Sequence, residues 1–221
     1  MLELVGALVG SYLCGAIPSS FLAGKVIRGI DLRAHGSKNL GATNVYRVMG
    51  AKVAIPVALF DVFKGMVPVL WISQLGPDWS SWPLLCGIAA ILGHVFSVFV
   101  GFKGGKGVAT AGGVVLALAP WPIAAALGIW VVVTFSSGYV SLGSICAALS
   151  YPGLVYWLQP SQRPFIVIHI VIALALVWFH RANIQRLRAG TENRFGKRGN
   201  TAAVRADAAT RDRPAGTAGP I

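Results

Sequence analysis

Charged side chains are scarce in this sequence. Asp, Glu, Lys and Arg make up 12% of its 221 residues, against about 25% in an ordinary soluble chain. Hydrophobic residues reach 55%, and that balance excludes an ordinary soluble domain. The long apolar runs also lack strict alternation, so helices rather than a closed barrel must satisfy the backbone in lipid. Cysteine is nearly absent. Cys14, Cys86 and Cys146 lie inside apolar runs, at spacings that suit neither zinc nor a disulfide framework, and read as small buried residues. No His/Asp/Glu cluster has the ligand spacing of a metal site. Neither a metal nor a cofactor is expected.

The apolar runs cover residues 2–23, 53–72, 83–100, 108–135, 139–158 and 164–179. As one helix, 108–135 would measure about 42 Å at 1.5 Å per residue, longer than the roughly 30 Å hydrocarbon core. Pro120 and Pro122 favour its division into two shorter helices. The reading is an all-α integral membrane protein with seven transmembrane helices, some short or broken. It falls to five or six if the pair around Pro120 does not cross fully. The first run has Glu3 at its start and Lys25, Arg28 and Arg33 after it. A cleaved signal peptide has the opposite charge order. This predicts a retained helix with the N-terminus outside and the C-terminus cytoplasmic. That topology places 17 of the 19 Lys and Arg residues on the cytoplasmic side, as the positive-inside rule requires. Of the other two, Arg163 lies outside and Lys64 within a span. Lys64 stands three residues after Asp61, on the same helix face, which predicts an intramembrane ion pair. Residues 1–196 read as a single transmembrane domain. Residues 197–221, rich in Ala, Arg, Thr, Gly and Pro, read as a basic, disordered cytoplasmic tail that is solvated or touches anionic lipid.

The predicted topology puts three polar clusters on one side. The first is Gly36-Ser37-Lys38-Asn39-Leu40-Gly41-Ala42-Thr43-Asn44-Val45-Tyr46-Arg47. Its hydroxyls, amides and guanidinium, with glycines that admit close approach, suit phosphate oxygens. A polar cytoplasmic turn would look the same in isolation. The second runs from Gly93-His94-Val95-Phe96 to Gly101-Phe102-Lys103-Gly104-Gly105-Lys106-Gly107-Val108-Ala109-Thr110. Its glycines and lysines precede an apolar helix whose N-terminus could hold an anion. It lacks the first glycine and the Ser/Thr of a nucleotide-binding P-loop, having Val100 and Gly107 there. The third is His180-Arg181-Ala182-Asn183-Ile184-Gln185-Arg186-Leu187, with Gly190-Thr191-Glu192 beyond. Continued helix puts His180 and Asn183 on one face. Ser141 and Ser144, three residues apart, either bond their own helix backbone or, for Ser144, meet a ligand.

These clusters resemble the bacterial acyl-phosphate:glycerol-3-phosphate acyltransferases, the PlsY family. The family patterns GSGNxGATNVxR, GHxFPVFxxFKGGKGVAT and HRxNIxRLxxGTE are similar to GSKNLGATNVYR, GHVFSVFVGFKGGKGVAT and HRANIQRLRAGTE here. The matches keep their order from Asp31 to about Glu192. Lys38 replaces a glycine, which removes backbone freedom and adds charge. Ser97 replaces a proline, which predicts a looser helix end before the second loop.

The resemblance implies an enzyme of the bacterial inner membrane, multi-pass, with its site facing the cytoplasm. It would transfer an acyl group from acyl phosphate to the 1-position hydroxyl of glycerol 3-phosphate. The products would be 1-acyl-glycerol 3-phosphate (lysophosphatidate) and phosphate, in the first acylation of phospholipid synthesis. Its partners would be acyl phosphate, glycerol 3-phosphate and membrane lipid, with no nucleic acid, and the chain would act as a monomer. The expected catalytic residues are Ser37, Arg47, Lys106, His180 and Asn183. Ser37, Arg47 and Lys106 look like the glycerol 3-phosphate clamp. Thr43, Gly104, Gly105, Ser144, His180 and Asn183 look like donors around the acyl phosphate. His94 is a polarising residue or one that acts from behind the groups touching substrate, Lys38 and Lys103 add charge for substrate, and Asn39, Asn44 and Glu192 shape the loops. A mixed anhydride is already activated, so no Ser–His–Asp triad is required, and none is apparent. The proton acceptor is a substrate phosphate oxygen or His180. The rivals are a transporter of a phosphorylated solute and a membrane scaffold that binds through the basic tail.

Overall fold

The structure, a computed structural model, describes residues 2–195. The expected tail at 197–221 and the end of the expected domain at 196 lie outside the described residues. Among the described residues there is no strand. The α-helices are α1 Leu2–Ala16, α2 Ser19–Arg28, α3 Ala42–Met49, α4 Ala51–Leu70, α5 Trp82–Val95, α6 Val108–Leu118, α7 Pro120–Ser137, α8 Val140–Leu158, α9 Ile166–Phe179 and α10 Arg181–Arg188. Short 3₁₀ turns follow α4 and α5 and precede α9.

Six helical stretches are long and apolar enough to cross a bilayer: Leu2–Arg28, Ala51–Leu75, Trp82–Val100, Pro120–Ser137, Val140–Leu158 and Pro160–Phe179. The fold is therefore that of an all-helical integral membrane protein. α6 is the short apolar member. Its 11 residues span about 16 Å, roughly half the hydrocarbon core. The expected break in 108–135 falls at Ala119, with Pro120 in the first turn of α7, where a missing N–H costs nothing.

The first span departs from the single helix expected over 2–23. It breaks at Ile17–Pro18 and continues to Arg28, because Pro18 has no N–H to donate and its ring crowds the preceding turn. The carbonyls of Ala16 and Ile17 next to this break need partners, since lipid offers none. Ser97 Oγ donates to Ala16 O at 2.5 Å. Lys64 Nζ donates to Ile17 O at 2.8 Å. Ser97 thus corrects the expectation of a loose helix end. Its φ of −64° lies within proline's own range, and its hydroxyl ties the end of α5 to α1.

Small residues bring the helices together. A Cβ on Gly15 would overlap the backbone of Ala90, and one on Gly93 the carbonyl of Tyr12, so α1 and α5 meet backbone to backbone. Gly65 against Thr110 and Gly113 against Val62 do the same for α4 and α6. Such close approach supplies the dispersion contact that stands in for a hydrophobic force between helices in lipid. α7 and α8 form a hairpin through Gly138, whose φ is 79°.

These connections gather distant segments at one end of the bundle. Phe195 N–H donates to Gly138 O at 2.6 Å. The Phe195 ring stacks on Tyr46 at 5.2 Å and meets Phe135 edge-on at 5.7 Å. The loop before α3, the glycine loop before α6, the α7–α8 turn and the α9–α10 junction therefore share one end.

Candidate active site

The loop before α3 is folded by a buried amide. Asn44 Nδ2 donates to Leu32 O at 3.2 Å and His35 O at 3.0 Å, and its Oδ1 accepts the Ser37 N–H at 2.7 Å. Gly36 lies at φ 60° against the Asn44 side chain, where any Cβ would overlap it. Ser37, Lys38 and Asn39 ride on this loop. Lys38 takes φ 60°, a left-handed conformation that glycine adopts without strain and lysine does not. Thr43, half-buried, sits in the first turn of α3, and Arg47 in its last.

The glycine loop approaches α5 closely. Gly104 N–H donates to Val95 O at 3.0 Å and Gly105 N–H to His94 O at 3.2 Å. A Cβ on Gly104 would overlap His94 O, and one on Gly105 the His94 ring. The two amides expected to cradle phosphate are thus engaged with α5. What these glycines contribute is close approach, which delivers Lys106 and the start of α6.

Lys106 heads a chain of polar contacts. Its Nζ donates to Asn183 Oδ1 on α10. Asn183 Nδ2 donates to Glu192 Oε1 at 2.7 Å. Ser141 Oγ, at the start of α8, donates to the same oxygen at 2.9 Å, and Arg186 Nε donates to Oε2 at 2.6 Å. Asn183 and Glu192 are buried. Arg47 completes the group, within electrostatic reach of Lys106, Glu192 and Arg186. His180, buried between α9 and α10, holds Nδ1 at 2.7 Å from Leu176 O. A carbonyl only accepts, so Nδ1 carries the proton and Nε2 is left as the basic atom.

Burial and neighbouring charge set the ionisation here. Burial, reinforced by Arg186 and Arg47 and opposed by Glu192, pushes Lys106 down to about 8. It remains mostly an ammonium at pH 7. Burial and the Lys106 charge push His180 down to about 4, so it is neutral there. Arg47 is lowered by burial. Burial alone would raise Glu192, but hydrogen bonds from Asn183, Arg186 and Ser141 outweigh it and hold the carboxyl below its ordinary value. The result is a polar cluster with the half-buried cations Arg47 and Lys106 beside a carboxylate already satisfied by other groups.

Other expected residues stand differently. Ser144 Oγ donates to Val140 O at 2.9 Å and accepts Trp130 Nε1–H at 3.2 Å. Its proton is engaged by its own helix, and Ser141, one turn earlier, is the serine that joins the cluster. Lys38 and Lys103 line an open groove of about 520 Å³ with Asp31, Arg33, Ala34 and Gly104. Asp31 is held low by the guanidinium of Arg33, which pairs with it at 2.7 Å. The two lysines are therefore the uncompensated charges of that groove. Arg186 and Ser141 were not among the expected site residues. The position of Arg186 in the matched third motif was the available signal. For Ser141 only its spacing from Ser144 pointed the way.

A bundle of apolar spans with half-buried cations gathered at one end defines an integral membrane protein. The chain belongs to the glycerol-3-phosphate acyltransferase family, whose model matches residues 5–190. Curated relatives of that description include one from Geobacter metallireducens, 52% identical over 88% of this chain and 99% of its own length. Another, from Chlorobium phaeobacteroides, is 40% identical over 89% of this chain and 99% of its own length. Among solved structures, the chain is similar to the glycerol 3-phosphate form of PlsY, an integral membrane glycerol 3-phosphate acyltransferase. The TM-score is 0.76 at 35% identity, covering 91% of this chain and 98% of that one. The lysophosphatidic acid form of PlsY gives 0.75 at 36% identity, covering 87% and 95%.

Proposed function

We propose that the chain transfers an acyl group from acyl phosphate to the 1-position hydroxyl of glycerol 3-phosphate at the cytoplasmic face of a bacterial inner membrane. The products are lysophosphatidate and inorganic phosphate. The observation that carries this reading is the convergence of Arg47, Lys106, Asn183 and Glu192, from α3, the glycine loop, α10 and the segment beyond it, into one polar cluster. Relatives and solved neighbours named glycerol-3-phosphate acyltransferases, the neighbours in a glycerol 3-phosphate form and a lysophosphatidic acid form, support the acceptor and product class.

In this reading Arg47 and Lys106 hold the glycerol 3-phosphate phosphate, with Ser37 adding a hydroxyl. Asn183, fixed by Glu192, aims the Lys106 ammonium. Thr43 and the start of α6 face the acyl phosphate. The substrate hydroxyl oxygen attacks the acyl carbon, the carbon–oxygen bond to phosphate breaks, and phosphate leaves with that electron pair. Holding both reactants together supplies much of the rate, and the cations stabilise developing charge on phosphate and oxyanion. The hydroxyl proton passes to a phosphate oxygen, whose second pKa lies near 6. His180, at about 4, is the weaker base.

A transporter would hold its site near the bilayer midplane, whereas these groups sit at helix ends and in loops. Proteoliposomes given labelled glycerol 3-phosphate and palmitoyl phosphate separate the two readings. Labelled lysophosphatidate in the lipid phase supports the enzyme. Unmodified label accumulating in the lumen overturns it.

A further inference from the structure

Beneath the glycine loop, outside the chain from Lys106 to Glu192, lies a second buried polar cluster. Asp61 and Lys64 on α4 are 1% and 2% exposed and pair at 2.7 Å. Ser19, at the start of α2, donates to Asp61 Oδ1 at 2.6 Å. Lys64 also holds Ile17 O at the α1–α2 break. His94, in the last turn of α5, places Nδ1 3.8 Å from Asp61 Oδ1 and 3.1 Å from Thr110 Oγ1 on α6. A buried ion pair stabilises little once its desolvation is counted. What this cluster does is join α2, α4, α5 and α6 at one point.

That point is where the glycine loop rests. The amides of Gly104 and Gly105 bond to Val95 O and His94 O. Gly105 lies against the His94 ring so closely that any side chain there would overlap Nε2. Ser19, Lys64, His94, Gly104 and Gly105 line one cavity of about 10 Å³, room for roughly a single water. His94 therefore carries the loop by backbone and by ring. Thr110 hydrogen-bonds that ring from behind, and Asp61 lies alongside the same nitrogen.

We propose that Ser19, Asp61, Lys64, His94 and Thr110 are positioning residues. They form a buried platform that sets the place of the Gly104–Gly105 loop and, through it, of the Lys106 ammonium in the next position. The platform touches no reacting atom. A loop displaced by about 1 Å can cost on the order of 10²-fold in rate, so holding it is a function in its own right. The kinetic consequence rests on the acyltransferase reading; the structural one does not.

The test uses Ser19→Ala, Thr110→Val and the charge-neutral pair Asp61→Asn with Lys64→Met in the full chain in detergent. Val69→Ala, a buried change on α4 at a position packed against Ile91, Ala111 and Val114, is the control for general destabilisation. Amide hydrogen exchange is read over residues 101–107, and KM and kcat are read with palmitoyl phosphate and glycerol 3-phosphate. The platform predicts that exchange over 101–107 rises on the order of tenfold in Thr110→Val and in the double variant, with a smaller rise in Ser19→Ala. KM for at least one substrate should rise with it. Val69→Ala should lower the melting temperature and leave both readings unchanged. Should Thr110→Val and Ser19→Ala behave like Val69→Ala, the cluster is bundle packing and the proposal is overturned. A double variant that does not fold leaves the decision to those two single variants. Wild-type protein that transfers no acyl group, while the variants exchange as expected, refutes the function and leaves the platform standing.

Discussion

Glu192→Gln removes one charge while nearly preserving shape, and its effects can be followed atom by atom. Oε1 still accepts from Ser141 and Asn183, whose donors lie at 2.9 and 2.7 Å. The new amide group replaces Oε2 and faces the Arg186 Nε–H, now donor against donor at a contact that was 2.6 Å. A hydrogen bond to a charged group contributes about 1.5–3 kcal/mol. The Arg186 side chain is 37% exposed, so solvent screening puts the loss in the lower half, roughly 1.5–2 kcal/mol. Transmitted through Asn183 to Lys106, that is about a 10- to 30-fold fall in kcat/KM. There is a second signature. Glu192 is the negative group that holds the Lys106 pKa up, while burial, Arg186 and Arg47 push it down to about 8. Without it the ammonium loses its proton at lower pH. The wild-type kcat/KM profile should rise as the substrate phosphate ionises near 6 and fall as Lys106 deprotonates near 8. In Glu192→Gln the falling limb should move to lower pH. Phosphate release measured between pH 5.5 and 9.5 reads both effects. A variant within twofold of wild type, with an unmoved falling limb, would refute this account of how Lys106 is aimed and charged.

Three further outcomes follow from the same geometry. Lys106→Ala should abolish phosphate release while the detergent-solubilised protein keeps its helical circular dichroism; near-normal turnover would remove Lys106 from the site. His180→Gln should lose less than the roughly 10²-fold that a general base contributes, because His180 sits at about 4; a larger loss at saturating substrate makes it the base. Replacing both groove lysines, Lys38→Gly with Lys103→Gln, should lower kcat/KM for glycerol 3-phosphate by about tenfold at low salt. It should also flatten the dependence of kcat/KM on ionic strength, and an unchanged salt response would show that the groove does not steer substrate.

Much of the fold was legible because a bilayer imposes long apolar runs, and because lysine and arginine cluster between them. The ion pair of Asp61 with Lys64 was legible from spacing alone, as both stand on one helix face. Pro120 announced its break, since it follows a run too long for one span. Pro18 did not, because the run resumes its apolar character after Ser19 and Ser20 and is short enough for one span, and the carbonyls freed there are satisfied from α4 and from the end of α5, far along the chain. Ser97 was misjudged for the same reason. Its hydroxyl matters only through Ala16, 81 residues away. Between Ser141 and Ser144, spacing could place both on one face but could not say which hydroxyl its own helix would engage. The roles of Gly104 and Gly105 turned on direction. The sequence shows that their backbone can approach closely, and only the fold shows that it approaches α5. The platform under the loop combines four helices, and no stretch of sequence carries the distances between helices.

The central claim, acyl transfer that depends on glycerol 3-phosphate at the Arg47–Lys106 cluster, is tested most directly by inorganic phosphate release from palmitoyl phosphate by the purified protein. Release should be fast with glycerol 3-phosphate, near background without it, and matched mole for mole by lysophosphatidate. Release that proceeds equally without glycerol 3-phosphate, or no release in its presence, would contradict it.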